Sequence, residues 1–315
     1  MKSLFARIRK LLIEDRILTR VLKNTGYLFS ATSLGLILSL IQSIFAARLL
    51  GVAAFGLVGI ITSFVSNVNR LFSFRMGEFI VRYLGKELTE DNRHKAGAVV
   101  KVAMLTEALT SVAAFAVLLL LAPWGAKNIA KDMQALPMIQ LFAVSILAKM
   151  ISETSLGVLQ ITNHFRTQAV INLIQSVITA LLILLAFLLD GSIYFVLSAY
   201  LVGKIMLGIS PALLAFYYLP RHLQPGWWRT PVSVLPPFKE MAQYALSTNL
   251  SGTVKMVASE SEPLWVGFFL DQQAVGLYKL ALSIVNPLMM PITPFIGVRS
   301  SWDVLARNSS LSRAA

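Results

Sequence analysis

Charged residues that sit inside apolar stretches are the ones in this sequence with chemistry to do. Arg70, Glu107, Lys149, Glu153, Lys204, Lys255, Glu260 and Glu262 all fall within segments that are otherwise aliphatic and aromatic. A charge in hydrocarbon is costly, so such side chains turn toward a protein interior or a water-filled cavity. Fixed cations in a hydrated cavity can hold an anionic group. Carboxylates beside them can pair those cations, or can bind a coupling H+ or Na+. Arg70, Lys149, Lys204 and Lys255 are therefore the substrate candidates. Glu107, Glu153, Glu260 and Glu262 are the candidates for ion pairing or a coupling ion. Inter-helix ion pairs that only hold a bundle together are the plainer alternative, and Lys149 and Glu153, four apart on one helix face, have the spacing of a pair within a single helix. Pro263 directly follows Glu262 and should interrupt a helix there, freeing backbone carbonyls.

These charges are positioned by membrane-spanning segments. The 315 residues are 56% hydrophobic and 14% charged, and the mean hydropathy is +0.70. That balance is too apolar for a soluble domain and reads as an all-α integral membrane protein. A crossing needs about 20 mostly apolar residues. Eight such spans can be drawn, at about 25–47, 54–76, 98–122, 135–159, 169–189, 193–219, 245–270 and 275–298. About sixteen basic residues lie in the N-terminal stretch and the alternate loops on its side, against Arg48, Lys127, Lys131 and Lys279 on the other. Basic loops stay in the cytoplasm, which puts both termini inside. The net charge of +13 is spread over loops, so no nucleic-acid surface is expected.

Residues 1–24 read as a basic amphipathic leader, lying on an anionic membrane surface or simply solvated. Residues 25–219 form a first six-helix lobe, 220–240 a Pro-rich cytoplasmic connector with Trp227 and Trp228 as interfacial anchors, 241–298 an incomplete second lobe, and 299–315 a cytoplasmic tail. There is no Cys, and His94, His164 and His222 read as solvated loop residues. No catalytic cluster, metal site or cofactor site is expected. An integral-membrane enzyme would need an acid/base or metal constellation near the surface, and no His/Asp/Glu cluster has ligand spacing.

The loop LLGVAAFGLVG recurs 220 residues later as FLDQQAVGLYK. Leu50, Ala54, Gly56 and Leu57 match Leu270, Ala274, Gly276 and Leu277. Each copy joins two spans, and its Gly permits close backbone approach or an unusual φ. Six spans separate the copies, so the repeat is parallel, with two lobes related by an axis along the membrane normal.

Three stretches carry a family resemblance: GYLFSATSLGLILSLIQSIFAARLLGVAAFGLVGI, LGVLQITNHFRTQAVINLIQSV and FFLDQQAVGLYKLALSIV. They are spread between Gly26 and Pro294. On them the chain resembles the polysaccharide (O-antigen) flippases of the multidrug/oligosaccharidyl-lipid/polysaccharide exporter superfamily. The resemblance implies two bundles of six or more helices around a cavity that opens alternately to each side of the bacterial inner membrane. It implies a lipid-linked oligosaccharide as cargo, an H+ or Na+ coupling ion, membrane lipids and other polysaccharide assembly proteins as partners, and no enzymatic activity. Against that plan the chain is expected to be C-terminally truncated, with two helices of the second bundle. A drug exporter of the same superfamily and a non-transporting remnant are the alternatives. The exporter would want an aromatic-lined cavity with few fixed cations.

Overall fold

The computed structural model describes residues 16–223, 226–231, 235 and 238–289, and every regular element among them is helical. Ten α-helices follow in order: α1 Arg16–Phe72, α2 Met76–Thr89, α3 Arg93–Asn128, α4 Ala135–Ala148, α5 Ser152–Ile161, α6 Phe165–Leu188, α7 Ile193–His222, α8 Phe238–Ser259, α9 Glu262–Phe269 and α10 Gln272–Met289. A short 3₁₀ turn lies at Trp227–Arg229 between α7 and α8. Residues 1–15 of the expected leader, parts of the connector, the end of the eighth span and the tail lie outside the described residues.

Five helical stretches among the described residues are long and apolar enough to cross a bilayer: Phe29–Thr89, Arg93–Asn128, Ala135–Ile161, Phe165–Leu188 and Ile193–His222. The first holds two of the expected spans. It folds at Gly51, whose φ of 78° and ψ of 163° leave the helical region. Only glycine enters that region without strain. A straight helix would set Ser39 and Ser73 about 50 Å apart at 1.5 Å per residue, yet both line one cavity, so the chain doubles back. Six crossings thus precede the connector, as the hydropathy pattern predicts. The seventh and eighth spans fall on α8 with α9 and on α10. These carry more polar residues, including Asn249, Lys255, Gln272, Gln273 and Lys279, and fall short of the other five in length or apolarity.

Two expectations are corrected here. Trp227 is not an interfacial anchor. It is 7% exposed and belongs to a buried cluster with Tyr83, Ala96, Val100 and Leu219, while Trp228 is 56% exposed. The connector is docked onto α3 by that ring and by Lys101 Nζ, which donates to Thr230 O at 3.4 Å. The histidines are not all in loops: His94 opens α3 and His222 closes α7. His164 alone is in a loop. It stacks on Tyr218 with ring centroids 3.8 Å apart, and burial lowers its pKa from the ordinary histidine value, with the His222 charge adding to the effect.

The two copies of the repeat meet. A Cβ on Gly56 would lie 1.8 Å from Gln272 O, and a Cβ on Gly276 would lie 2.1 Å from Val52 O. Val52 and Gln272 are themselves 220 residues apart, as Gly56 and Gly276 are. Each glycine therefore faces the other copy's equivalent position, the reciprocal contact of a two-fold relation. The glycines serve close approach, while the unusual φ falls at Gly51, outside the matched positions.

Candidate functional site

Three of the long helical paths are broken, and the breaks converge. The first lies at Ser73–Arg75 between α1 and α2, the second at Lys149–Ile151 between α4 and α5, and the third at Glu260–Ser261 between α8 and α9. Pro263 sits at the start of α9, where its missing N–H costs nothing because the first-turn donors have no intrahelical acceptor. It cannot continue α8, so the residue pattern dictates this break. The other two breaks carry no proline, and the structure reveals them.

A broken helix leaves N–H groups without acceptors, and here carboxylates from other helices accept them. Glu107 of α3 is 7% exposed. It accepts from Glu153 N at 2.7 Å and Thr154 N at 2.9 Å, so it caps the N-terminus of α5. Glu153 of α5 in turn accepts from Met76 N at 3.0 Å and Ser73 Oγ at 2.6 Å, so it caps the N-terminus of α2. Negative charge at a helix N-terminus is favoured by the N–H groups and by the helix dipole. Glu153 is thus committed to α2, and the i,i+4 ion pair with Lys149 does not form.

The breaks border a cavity of about 670 Å³. Its wall includes Arg70, Glu107, Lys149, Glu153, Lys204, Glu260 and Lys279. Six of these seven are residues that the sequence singles out. Lys279 is the addition. Its place near the outer loop in the sequence grouped it with outer-side charges, but α10 packs on α1 with Lys279 against Gly59 and its Nζ 3.5 Å from Ser63 Oγ. The 220-residue repeat held the clue: Lys279 is the counterpart of Gly59 on the cavity-facing side of its helix.

The charges sort unequally. Glu107 and Glu153 are engaged by backbone amides, and Glu260 forms an ion pair with Arg70. Among the described residues, no carboxylate comes within ion-pair distance of Lys149, Lys204 or Lys279. All three lysines line the same cavity. Lys255 and Glu262 stand apart from this group. Lys255 is exposed and lines a second cavity of about 660 Å³ with Arg75, Arg82, Tyr244 and Asn249. Glu262 accepts a hydrogen bond from Tyr278 Oη on α10.

A family model described as "Polysaccharide biosynthesis protein" matches residues 21–299. The chain belongs to that family. It is a multi-pass membrane protein of polysaccharide biosynthesis. No curated protein and no solved structure matched the chain significantly.

Proposed function

We propose that this polysaccharide biosynthesis protein is a flippase for polyprenyl-diphosphate-linked oligosaccharide units, moving them across the bacterial inner membrane by alternating access. The observation that supports this reading is the lysine triad Lys149, Lys204 and Lys279. Three ammonium groups border a cavity whose carboxylates are occupied elsewhere. Mutual repulsion of like charges in a confined space is unfavourable, and a multivalent anion relieves it. A diphosphate supplies such a charge, with acceptor oxygens for several lysine donors. The polar wall of Ser63, Asn67, Ser111 and Ser145 suits hydroxyl-rich sugars in the same space. Arg70 lies at the edge of the triad, while Lys255, placed in the second cavity, meets the diphosphate before or after the central site. Glu107 and Glu153 act chiefly as helix caps, and a coupling H+ or Na+ would have to compete with those amides. The cations that border the central cavity, Arg70 with Lys149, Lys204 and Lys279, favour this cargo over the organic cations of a drug exporter, which they would repel. The orientation with both termini inside follows from the basic loops.

The test uses the purified 315-residue chain in liposomes holding a polyprenyl-diphosphate oligosaccharide. Translocation is read as exposure of the glycan to a glycosidase added outside. Lys204→Gln with Lys279→Gln is expected to reduce the rate at least about tenfold, since losing charged hydrogen bonds worth about 1.5–3 kcal/mol each exceeds the 1.4 kcal/mol of one decade. An undiminished rate in this pair of variants would remove the triad from the substrate path. Movement of a lipophilic cation without glycan transfer would favour the exporter.

A further inference from the structure

The central and second cavities share five wall residues: Arg70, Ser73, Glu153, Leu156 and Glu260. They lie where the two cavities meet, as a septum to which two of the helix breaks contribute, at Ser73 and Glu260. Four of the five are held by first-lobe helices or by the segment that joins them. Ser73 and Glu153 are bonded to each other, and Glu153 is bonded to Met76 N. Glu260 is the exception, because it comes from the break between α8 and α9. It reaches the first lobe through its carboxylate on Arg70 and, more weakly, through its carbonyl, 3.5 Å from Asn67 Nδ2. Asn249 of α8 adds two hydrogen bonds, to Leu71 O at 3.1 Å and Ser73 O at 2.6 Å.

The Arg70 and Glu260 side chains are 46% and 43% exposed. A pair that open to water is weakly held and screened. It is also the contact across the septum that an anion can take over. Guanidinium binds carboxylate and phosphate with the same donor geometry, so the Glu260 carboxylate occupies on Arg70 the place a phosphate would take.

We propose that Arg70–Glu260 is an anion-operated latch between the first lobe and the α8–α9 segment. A diphosphate entering from the second cavity replaces Glu260 on Arg70, and Glu260 is released. With its ion pair gone, the α8–α9 segment moves away from α1, and the septum opens toward the lysine triad. When the anion leaves, Glu260 returns and the septum closes. The empty protein therefore keeps its two cavities apart without a ligand. The identity of the anion rests on the flippase reading; the latch itself rests on the septum.

The chain has no Cys, so single cysteines report cleanly. Ser66 lines the central cavity only, and Val81 the second cavity only. In inside-out membrane vesicles, a membrane-impermeant maleimide labels Val81→Cys at a rate that serves as the reference for folding and sidedness. Ser66→Cys is expected to label slowly in the otherwise native chain, and at least about fivefold faster with either millimolar inorganic pyrophosphate or Glu260→Gln. Pyrophosphate should add nothing further to Glu260→Gln. The exchanged pair Arg70→Glu with Glu260→Arg should restore slow labelling and abolish the response. If Ser66→Cys labels equally in native and Glu260→Gln backgrounds, there is no latch, and the flippase reading stands untouched. If Glu260→Gln accelerates labelling while pyrophosphate does nothing to the native chain, the anion does not operate the latch, and the flippase reading loses its cargo chemistry as well.

Discussion

The α8–α10 segment meets the first lobe at two ends, and the two contacts are of different kinds. Near the turn at Gly51, contact is backbone on backbone, with Gly56 and Gly276 each set against the other copy's main chain. Lys131 Nζ donates to Leu270 O, and Gln272 Nε2 donates to Ala130 O at 2.8 Å, closing the same end. At the far end, beside the helix breaks, side chains make the contact: the half-exposed Arg70–Glu260 pair, the Asn249 amide, weaker hydrogen bonds at Asn67 and Thr248, and Tyr244 against Tyr83 and Arg82. Backbone contact through glycine has little room to adjust, because interiors are close-packed and bistable rather than soft. A water-exposed ion pair exchanges partners readily. The tight end is built to act as a pivot, and the loose end as the side that opens.

The pivot breaks most severely. Gly56→Ala places a methyl 1.8 Å from a carbonyl oxygen of α10. The obstacle is main chain and cannot turn aside, so the destabilisation should exceed the usual overpacking range of about 1–3 kcal/mol. Thermal unfolding in detergent should show a drop of many degrees, with protease cleavage in the connector enhanced. Gly276→Ala should do the same, since Val52 O faces it at 2.1 Å. A tolerated alanine at both positions would mean the two helices can slide, and the pivot would be lost.

Next comes the interior of the first lobe. Glu107→Ala leaves the amides of Glu153 and Thr154 without their acceptor. Each buried orphan costs about 1–3 kcal/mol, so a loss of about 3 kcal/mol is expected. Glu107→Gln keeps one acceptor oxygen and should lose about half of that. Equal losses for the two variants would show that the charge, rather than the caps, holds α5 in place. Unfolding curves of the two variants side by side decide it.

Sequence reasoning reached the crossings of the first lobe because each is a long apolar run, and it reached the repeat because Gly56 and Gly276 keep their spacing. It found the break at Pro263 because proline has a fixed consequence. The breaks at Ser73 and Lys149 escaped it, since no proline or glycine marks either one. They depend on Glu153 and Glu107 arriving from other helices, and such tertiary capping has no local pattern. The same limit governed the charges. Lys149, Glu153, Lys204 and Arg70 were legible as out-of-place charges in apolar runs. Spacing then suggested that Glu153 pairs with Lys149, whereas the α2 amide and Ser73 take it. Lys279 was assigned by its distance from a loop, although its helix face, set by contact with Gly59, turns it into the cavity.

The loose end should be the least sensitive to stability and the most sensitive in function. Tyr278→Phe removes the hydrogen bond to Glu262 between α10 and α9, two helices of the same segment, and should cost about 1 kcal/mol with little effect on septum opening. Glu260→Gln removes a bridge whose partners are both more than 40% exposed, and should cost no more than about 1 kcal/mol. The informative quantity is the ratio of stability loss to labelling change at Ser66→Cys. A pivot or core variant lowers stability and opens the septum only as the fold loosens. A latch variant opens the septum with the melting transition nearly unmoved. If Glu260→Gln instead melts the protein as severely as Glu107→Ala, the far end is as firmly built as the near one, and opening there would require the whole of α8 to detach from α1.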